Sequence, residues 1–277
     1  MYHYKHVILV GIDGAGNFYR HTTAPMIRRV MAEGAGTDMC LTSIPSDSAQ
    51  CWGSMLMGVS CRIHRLHNDR VSLAESPCAT DAHPTVFRMI REAMPDATLG
   101  SFSNWNPINY GIIENGIGVT KETGEDEELC ERICAYVKNE KPTFLFIQFD
   151  SVDGAGHAHG YGSPRHLDQI NICDGYAERI YNACVEAGIA EDTLFIITTD
   201  HGGYECGHGT DTDEEKWVFV AIKGRTVNHT TLNYMQVKDF PAVITHALGV
   251  PGHGGWSSHL PCGLFSDSHV GNHTVKI

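Results

Sequence analysis

The sequence lacks the features that mark nucleic-acid-binding, membrane-spanning and disulfide-stabilised proteins. Its 20 Lys and Arg residues face 33 Asp and Glu, and the formal charge of −13 excludes an overall basic surface for nucleic acid or anionic lipid. No apolar run approaches the roughly 20 residues of a membrane span. The 10 cysteines include no Cys-x-x-Cys pair, so we expect reduced thiols. The apolar run 7–10 is too short for the core of a secretory signal, and we therefore expect a cytoplasmic protein.

The chain does contain apolar runs of strand length, which alternate with helix-like segments. Hydrophobic residues make up 42% of it, and no repeat, low-complexity tract or linker divides it, so we interpret residues 1–277 as one domain. The predicted strands are Lys5–Ile12, Thr37–Ser43, Ala97–Ser103, Thr143–Phe149, Thr193–Thr199 and Trp217–Ile222. The predicted helices are Ala24–Glu33, Ser48–Met57, Pro84–Ala93, residues 125–139, Pro164–Glu186 and Asp239–Leu248.

This alternation predicts an α/β fold with a mainly parallel central sheet and helices on both faces. Strands that read as continuous apolar runs are typical of parallel sheets that are covered on both sides. Two segments, near residues 60–81 and 104–124, show neither the apolar periodicity of a helix nor that of a strand. They are predicted to be irregular loops over an active site.

Polar side chains follow four of the predicted strands. They are Asp13, Ser48, Asp153 and the pair Asp200-His201. In open α/β sheets ligands bind beyond the carboxyl ends of the strands, so we expect these residues to converge at one edge.

The residue types at that edge indicate a metal centre. With His157 and His208, the set contains three aspartates and three histidines, a mixture of oxygen and nitrogen ligands that suits zinc, manganese or iron(II) better than calcium or magnesium. One ion rarely needs six ligands, so two ions sharing them is the economical interpretation. Two-metal centres typically serve phosphoryl transfer.

Each motif also has an ordinary structural explanation. Asp13-Gly14 occurs widely as a turn after a strand, and Asp200-His201 can be a polar exit from one. The glycines between Asp153 and His157 are expected to let the backbone turn tightly. Ser48 alone has the character of a helix N-cap, a role for which Ser46 and Asp47 compete. A serine at a helix N-terminus is also well placed to act as a nucleophile toward phosphate.

Taken together, these motifs make the chain similar to the alkaline phosphatase superfamily, and most of all to its nucleotide pyrophosphatase/phosphodiesterase-like branch. The resemblance implies two divalent ions, first of all Zn²⁺, with Mn²⁺ as the alternative. It implies one ion held by Asp153, His157 and His208, and a second ion held by four further residues. Those four are Asp13, Asp200, His201 and Ser48, whose hydroxyl is also the implied nucleophile.

The resemblance has departures that bear on substrate. His64 is followed by Arg65 instead of glycine, so Arg65 is a candidate phosphate-binding residue. The phosphate-binding asparagine falls at Asn68, with Asp69 as the other possible register. Ser48 replaces the cysteine of most sulfatases and Trp52 stands in place of their arginine, which argues against sulfatase activity. The segment 60–139 is too short for the cap domain of the related mutases.

The resemblance favours cleavage of a phosphodiester or pyrophosphate bond in a small phosphorylated substrate, through a covalent intermediate on Ser48. A phosphomonoesterase, a phosphotransferase or mutase on the same centre, and a binding module without activity remain the alternatives. Trp105 is a candidate for contact with the second substituent of a diester, in a groove shared with Trp52, Asn106 and Tyr110, although such aromatics are more often core residues. Nothing in the sequence indicates an oligomeric state.

Overall fold

The computed structural model describes residues 3–73 and 82–266, and all of its strands belong to one nine-stranded sheet. The strands are β1 (His6–Ile12), β2 (Ala35–Leu41), β3 (Leu99–Ser103), β4 (Val119–Glu122), β5 (Phe144–Phe149), β6 (Thr193–Thr198), β7 (Trp217–Lys223), β8 (Thr230–Thr231) and β9 (Met235–Gln236). They follow the order β4-β3-β5-β1-β6-β7-β2-β8, and β9 pairs with β2. Only β7 runs antiparallel to its neighbours, β6 and β2, so the predicted mainly parallel sheet is confirmed.

Helices cover both faces of this sheet, as predicted. They are α1 (Pro25–Ala32), α2 (Ser48–Met57), α3 (Cys61–His64), α4 (Asn68–Leu73), α5 (Val86–Ala93), α6 (Asp126–Glu140), α7 (Ser151–His159), α8 (Pro164–Glu186), α9 (Asp213–Lys216) and α10 (Phe240–Leu248). Each helix and strand predicted from the sequence is present, with its ends within two residues of the prediction. Among the described residues, no helix combines the length and the apolar character needed to cross a membrane.

The alternation of side chains along β1 explains the two covering layers. Val7 and Leu9 pack in a cluster with residues of α2, α5 and α10. Ile8 and Val10 point to the other face and pack with residues of α1, α6 and α8. Successive residues of a strand face opposite sides, so a strand buried on both sides must be apolar throughout, and the last six residues of β1 are all buried.

The two segments predicted to be irregular contain regular structure, and that prediction was wrong. The first holds α3 and α4, while residues 74–81 lie outside the described part of the chain. The second holds a π-helical turn, Ile108–Ile112, and the edge strand β4, which pairs with β3 from Leu99 to Phe102. A four-residue strand has too little periodicity to be found locally, because its hydrogen-bond partner is far away in the chain.

The start of α1 generates a stability prediction. The buried Asp174 carboxylate of α8 accepts hydrogen bonds from the backbone N–H groups of Met26 (2.9 Å) and Ile27 (2.7 Å), which have no partner inside their own helix. Asp174→Ala should lower the free energy of unfolding by about 1–3 kcal/mol. Urea denaturation measures this, with the exposed neighbour Glu178→Ala as the control. Equal stability of the two variants would show that this cap contributes nothing.

Candidate metal and phosphoryl-transfer site

The polar side chains that follow the strands converge at one edge of the sheet. Asp13 directly follows β1, Asp200-His201 follows β6, and α7, which carries Asp153, follows β5. Helix α2 begins with Ser48 after β2 and its connecting loop. The structure thereby brings the predicted site residues together as two adjoining groups.

The inner group surrounds the imidazole of His201. Its Nε2 lies 3.3 Å from Ser48 Oγ, 3.5 Å from Asp13 Oδ1 and 3.3 Å from Asp200 Oδ2. Asp13, Asp200 and His201 are at most 1% exposed and Ser48 is 7% exposed. These four residues are the ones that the resemblance assigns to one ion.

The hydrogen bonds of the inner group leave electron pairs without a partner. His201 Nδ1 lies 2.8 Å from the Gly202 carbonyl, which can only accept, so Nδ1 carries the proton. Burial lowers the pKa of His201, so the ring is neutral and Nε2 presents a lone pair. Asp13 Oδ1 and Asp200 Oδ2 are buried with no hydrogen-bond partner among the described residues. Such a convergence of acceptors without donors fits a bound cation.

The outer group consists of Asp153, His157 and His208. Asp153 Oδ2 lies 3.2 Å from His157 Nε2, and Asp153 Oδ1 lies 3.8 Å from His208 Nε2. The Nδ1 atoms of the two rings donate to the carbonyls of Cys206 and Ser46, both at 2.9 Å, which turns each Nε2 toward the carboxylate. The three ligand atoms lie within 4.8 Å of one another. Backbone carbonyls that fix metal-binding histidines in this way are a common feature of metal sites.

Crowding of carboxylates perturbs the titration of the whole site. Burial and the charge of Asp153 raise the pKa of Asp200 to about 7, and the same two causes raise the pKa of Asp150 to about 7. Burial and the charge of Asp200 raise the pKa of Asp13 well above its usual range. The adjacent Asp153 carboxylate raises the pKa of His157 to about 9. In residues 3–73 and 82–266 no Lys or Arg pairs with these carboxylates, so protons or metal ions must offset the charge.

Asp13 is oriented by two donors that sequence reasoning missed. Trp52 Nε1 donates to Asp13 Oδ2 at 2.9 Å, and Gln148 Nε2 donates to the same oxygen at 2.8 Å. Trp52 is fully buried, in the core position that is commoner for such an aromatic than a place in the wall of a substrate groove. With Oδ2 occupied, the remaining oxygen Oδ1 faces His201. No local pattern identifies these donors, since Trp52 and Gln148 lie in separate elements.

Asp153 and His157 lie one turn apart on helix α7, and the expected tight turn is absent. The backbone N–H groups of Asp150 and Ser151 at the start of this helix donate to the buried carboxylate of Asp126, at 3.0 and 2.9 Å. Residues four apart on a helix face the same way, which places both side chains in the outer group. Asp126 comes from α6, a contact that sequence spacing does not reveal.

Ser48 is the first residue of α2, and the N-cap is its neighbour Asp47, one of the alternatives considered from the sequence. Asn68 Oδ1 accepts a hydrogen bond of 2.9 Å from the backbone N–H of Ala49, the residue after Ser48. The Nδ2 donor of Asn68 has no acceptor in the part of the chain that the structure describes. Asn68 therefore lies against the first turn of α2, which also carries Ser48, and its phosphate-binding role stays a prediction.

Arg65 and Trp105, the other two predicted substrate contacts, make no hydrogen bond or ion pair with a predicted metal ligand within the described residues. Arg65 is the exposed C-cap residue that follows α3, with a φ of 57°, and its guanidinium has no partner among the described residues. Trp105 is half-buried just past β3, and its backbone N–H donates to Gln148 Oε1 at 2.8 Å. It is thus linked through Gln148 to Asp13. Both substrate roles stay predictions.

Glu215 joins three loops of the site. Its buried carboxylate accepts hydrogen bonds from Ser46 Oγ (2.5 Å) and from the backbone N–H of Thr210 (2.6 Å). Its backbone carbonyl accepts the N–H of Gly202 at 2.9 Å, next to His201. Ser46 in turn accepts the Nδ1–H of His208. In sequence Glu215 ends an acidic run, 211–215, of the kind that usually forms a solvated surface, so no signal set it apart.

Comparison with protein families connects this geometry to phosphoester chemistry. Residues 98–218 match the family model of type I phosphodiesterases and nucleotide pyrophosphatases, which is less than half of the chain. The matched segment includes Asp153, His157, Asp200, His201 and His208. The resemblance predicted from the sequence is confirmed, and the match supports a phosphoester hydrolase of the alkaline phosphatase superfamily. No curated protein matches the chain.

Solved structures show the same fold. Human ectonucleotide pyrophosphatase/phosphodiesterase 5 superposes with a TM-score of 0.73 at 10% identity, covering 92% of this chain and 97% of that one. An inactive variant of the murine protein in complex with AMP gives 0.71 at 11% identity, with coverages of 90% and 96%. A putative sulfatase from Bacteroides thetaiotaomicron gives 0.73 at 13% identity, with coverages of 93% and 73%. At these identities the likeness concerns the fold alone.

The Glu215 contacts predict a pH-dependent stability. Burial raises the pKa of Glu215, but the hydrogen bonds from Ser46 and Thr210 outweigh it and leave the pKa below its usual value. The ionised form therefore stabilises the fold above the pKa of about 4.3 in the unfolded chain, and this contribution is lost as the pH falls through the folded pKa. Glu215→Gln should cost about 1–3 kcal/mol at pH 7 and progressively less below pH 4, measured by urea denaturation.

The exposed neighbour Glu214→Gln is the matched control and should leave stability unchanged at both pH values. A cost for Glu215→Gln that stays constant down to pH 3 would contradict the assignment of an ionised carboxylate.

Proposed function

We propose that this chain, a relative of the alkaline phosphatase superfamily, is a dinuclear-metal phosphohydrolase that cleaves a phosphodiester or pyrophosphate bond with Ser48 as the nucleophile. The observation that carries the proposal is the inner group, where the Ser48 hydroxyl and the His201 lone pair meet two buried carboxylate oxygens without donors. A structural polar network would pair those oxygens with donors. Acceptors arranged around a hydroxyl instead suit a cation that activates it.

The residues fit two divalent ions. Asp13, Asp200, His201 and Ser48 would hold one, and Asp153, His157 and His208 the other. The mixed nitrogen and oxygen ligands favour Zn²⁺, with Mn²⁺ as the alternative. When bound, the ions would lower the pKa of the Ser48 hydroxyl and neutralise charge on the phosphoryl group.

The chain's own residues then account for a two-step displacement. Ser48 Oγ loses its proton and forms a bond to phosphorus as the bond from phosphorus to the leaving oxygen breaks, so the leaving group departs and the retained substituent stays on a phosphodiester of Ser48. The oxygen of a water molecule then bonds to phosphorus as the bond to Ser48 Oγ breaks, Oγ takes up a proton from the water, and a phosphate monoester of the retained substituent is released. The free Nδ2 donor of Asn68 and the N-terminal end of α2 would orient the phosphoryl oxygens during both steps.

The charge of the site favours a diester over a monoester. A monoester dianion would need a further cation beside the metal ions. No Lys or Arg of the described residues pairs with the site carboxylates, and the guanidinium of Arg65 is exposed. A diester carries one negative charge less, and its second substituent would extend toward Trp105. The AMP held by the murine variant supports a small nucleotide-like substrate.

The Ser48→Ala variant tests this proposal. It should reduce the turnover of a chromogenic phosphodiester, bis(p-nitrophenyl) phosphate, by roughly a thousandfold or more, because no other residue forms the covalent ester. Elemental analysis should still find metal, since Asp13, Asp200 and His201 remain as ligands.

Ser60→Ala serves as the matched control, because the Ser60 side chain caps no N–H group of α3 and is outside the proposed site. It should retain wild-type turnover. Undiminished turnover by a metal-containing Ser48→Ala protein would remove Ser48 from the mechanism.

A further inference from the structure

Tyr161 makes a contact with the outer group that the proposed reaction does not use. Its hydroxyl donates a hydrogen bond of 2.5 Å to Asp153 Oδ1. The other carboxylate oxygen, Oδ2, faces His157 Nε2 at 3.2 Å. The Tyr161 hydroxyl therefore occupies Oδ1 of Asp153, a predicted metal ligand, while Oδ2 faces His157.

The ring of Tyr161 is fixed from several sides. A Cβ added at Gly156 or Gly203 would lie 2.5 or 2.4 Å from ring atoms of Tyr161, so only glycine allows the ring to occupy this space. The ring also packs edge-on against His166, with centroids 5.2 Å apart. The backbone N–H of Tyr161 donates to the Glu205 carbonyl at 2.7 Å. A side chain enclosed in this way holds its hydroxyl at a defined point.

Asp153 needs such a constraint because it lies between the two groups. Its carboxylate is within 4.8 Å of ligand atoms of His157 and His208, and equally of Asp13 and His201. Oδ1 lies between the groups, since it is 3.8 Å from His208 Nε2 of the outer group and would lie 2.6 Å from a Cβ at Gly14, next to Asp13 of the inner group. Without a donor, this oxygen would be available to an ion in the inner group.

We propose that Tyr161 is a positioning residue that holds Asp153 Oδ1 and thereby commits the Asp153 carboxylate to the outer ion. This inference rests on the proposed function, because it presumes that both groups bind a cation. It assigns to Tyr161 control over the affinity of one ion and not of the other. Residues that hold metal ligands by hydrogen bonds typically affect affinity by 10–100-fold.

The Tyr161→Phe variant tests the inference, because it removes the hydroxyl and keeps the packed ring. Isothermal titration of the metal-free protein with Zn²⁺ measures both affinities, in competition with a chelator if binding is tight. The wild type should bind two ions. The variant should bind one with unchanged affinity and the other about 10–100-fold more weakly.

Tyr136→Phe is the matched control. Tyr136 is likewise half-buried, and its hydroxyl donates at 3.3 Å to the Leu99 carbonyl, outside the site. It should lose a hydrogen bond without changing either affinity. Melting temperatures of both variants verify that they fold.

The outcomes separate this inference from the proposed function. Two unchanged affinities in Tyr161→Phe, or an equal loss at both sites, would overturn the role of Tyr161 and leave the proposed function standing. A wild-type protein that binds fewer than two ions would overturn both. Weaker binding of one ion alone in Tyr161→Phe supports both the role of Tyr161 and the proposed function.

Discussion

Repulsion among buried carboxylates is the constraint on which the organisation of this site depends. Asp13, Asp153 and Asp200 meet at the edge of the sheet, and no Lys or Arg of the described residues pairs with them. Burial, together with like charges held this close, raises the pKa values of Asp13 and Asp200, so protons or cations must offset the charge of the site. The fold holds the three aspartates together in spite of their repulsion. Each of them directly follows a strand of the buried sheet or lies in the first turn of a helix that follows one.

The fold also fixes the direction of the lone pairs. Three histidines each place Nδ1 against a backbone carbonyl, those of Gly202, Cys206 and Ser46. A carbonyl cannot donate, so Nδ1 carries a proton in every ring and Nε2 faces the carboxylates; Asp153 raises the pKa of His157 to about 9, so its Nε2 must lose a proton before it can bind an ion. The same loops are tied to one another by Glu215 and Ser46, which connects the orientation of His208 to the position of the nucleophile.

The sequence was sufficient to predict six of the nine strands, six of the ten helices given above and the residues that meet at the edge of the sheet. Apolar strands predict a parallel sheet that is covered on both faces. Polar residues such as Asp13 and Asp200 directly follow such strands, so the order of residues along the chain was enough to predict where they meet. The groups that orient them could not be predicted. Trp52, Gln148, Tyr161 and Glu215 act across the fold, and each is of a type that usually serves packing or the surface. The edge strand β4 was missed for the same reason, since its only signal is its pairing with β3.

The central claim is that these convergent lone pairs exist to hold two cations beside the Ser48 hydroxyl. Anomalous diffraction from crystals soaked in Zn²⁺ tests this directly, because it locates each ion without reference to activity. The account predicts two peaks, one among Asp13, Asp200, His201 and Ser48 Oγ, and the other among Asp153, His157 and His208. A site that remains without anomalous density at saturating Zn²⁺, or a peak placed away from Ser48 Oγ, would contradict it.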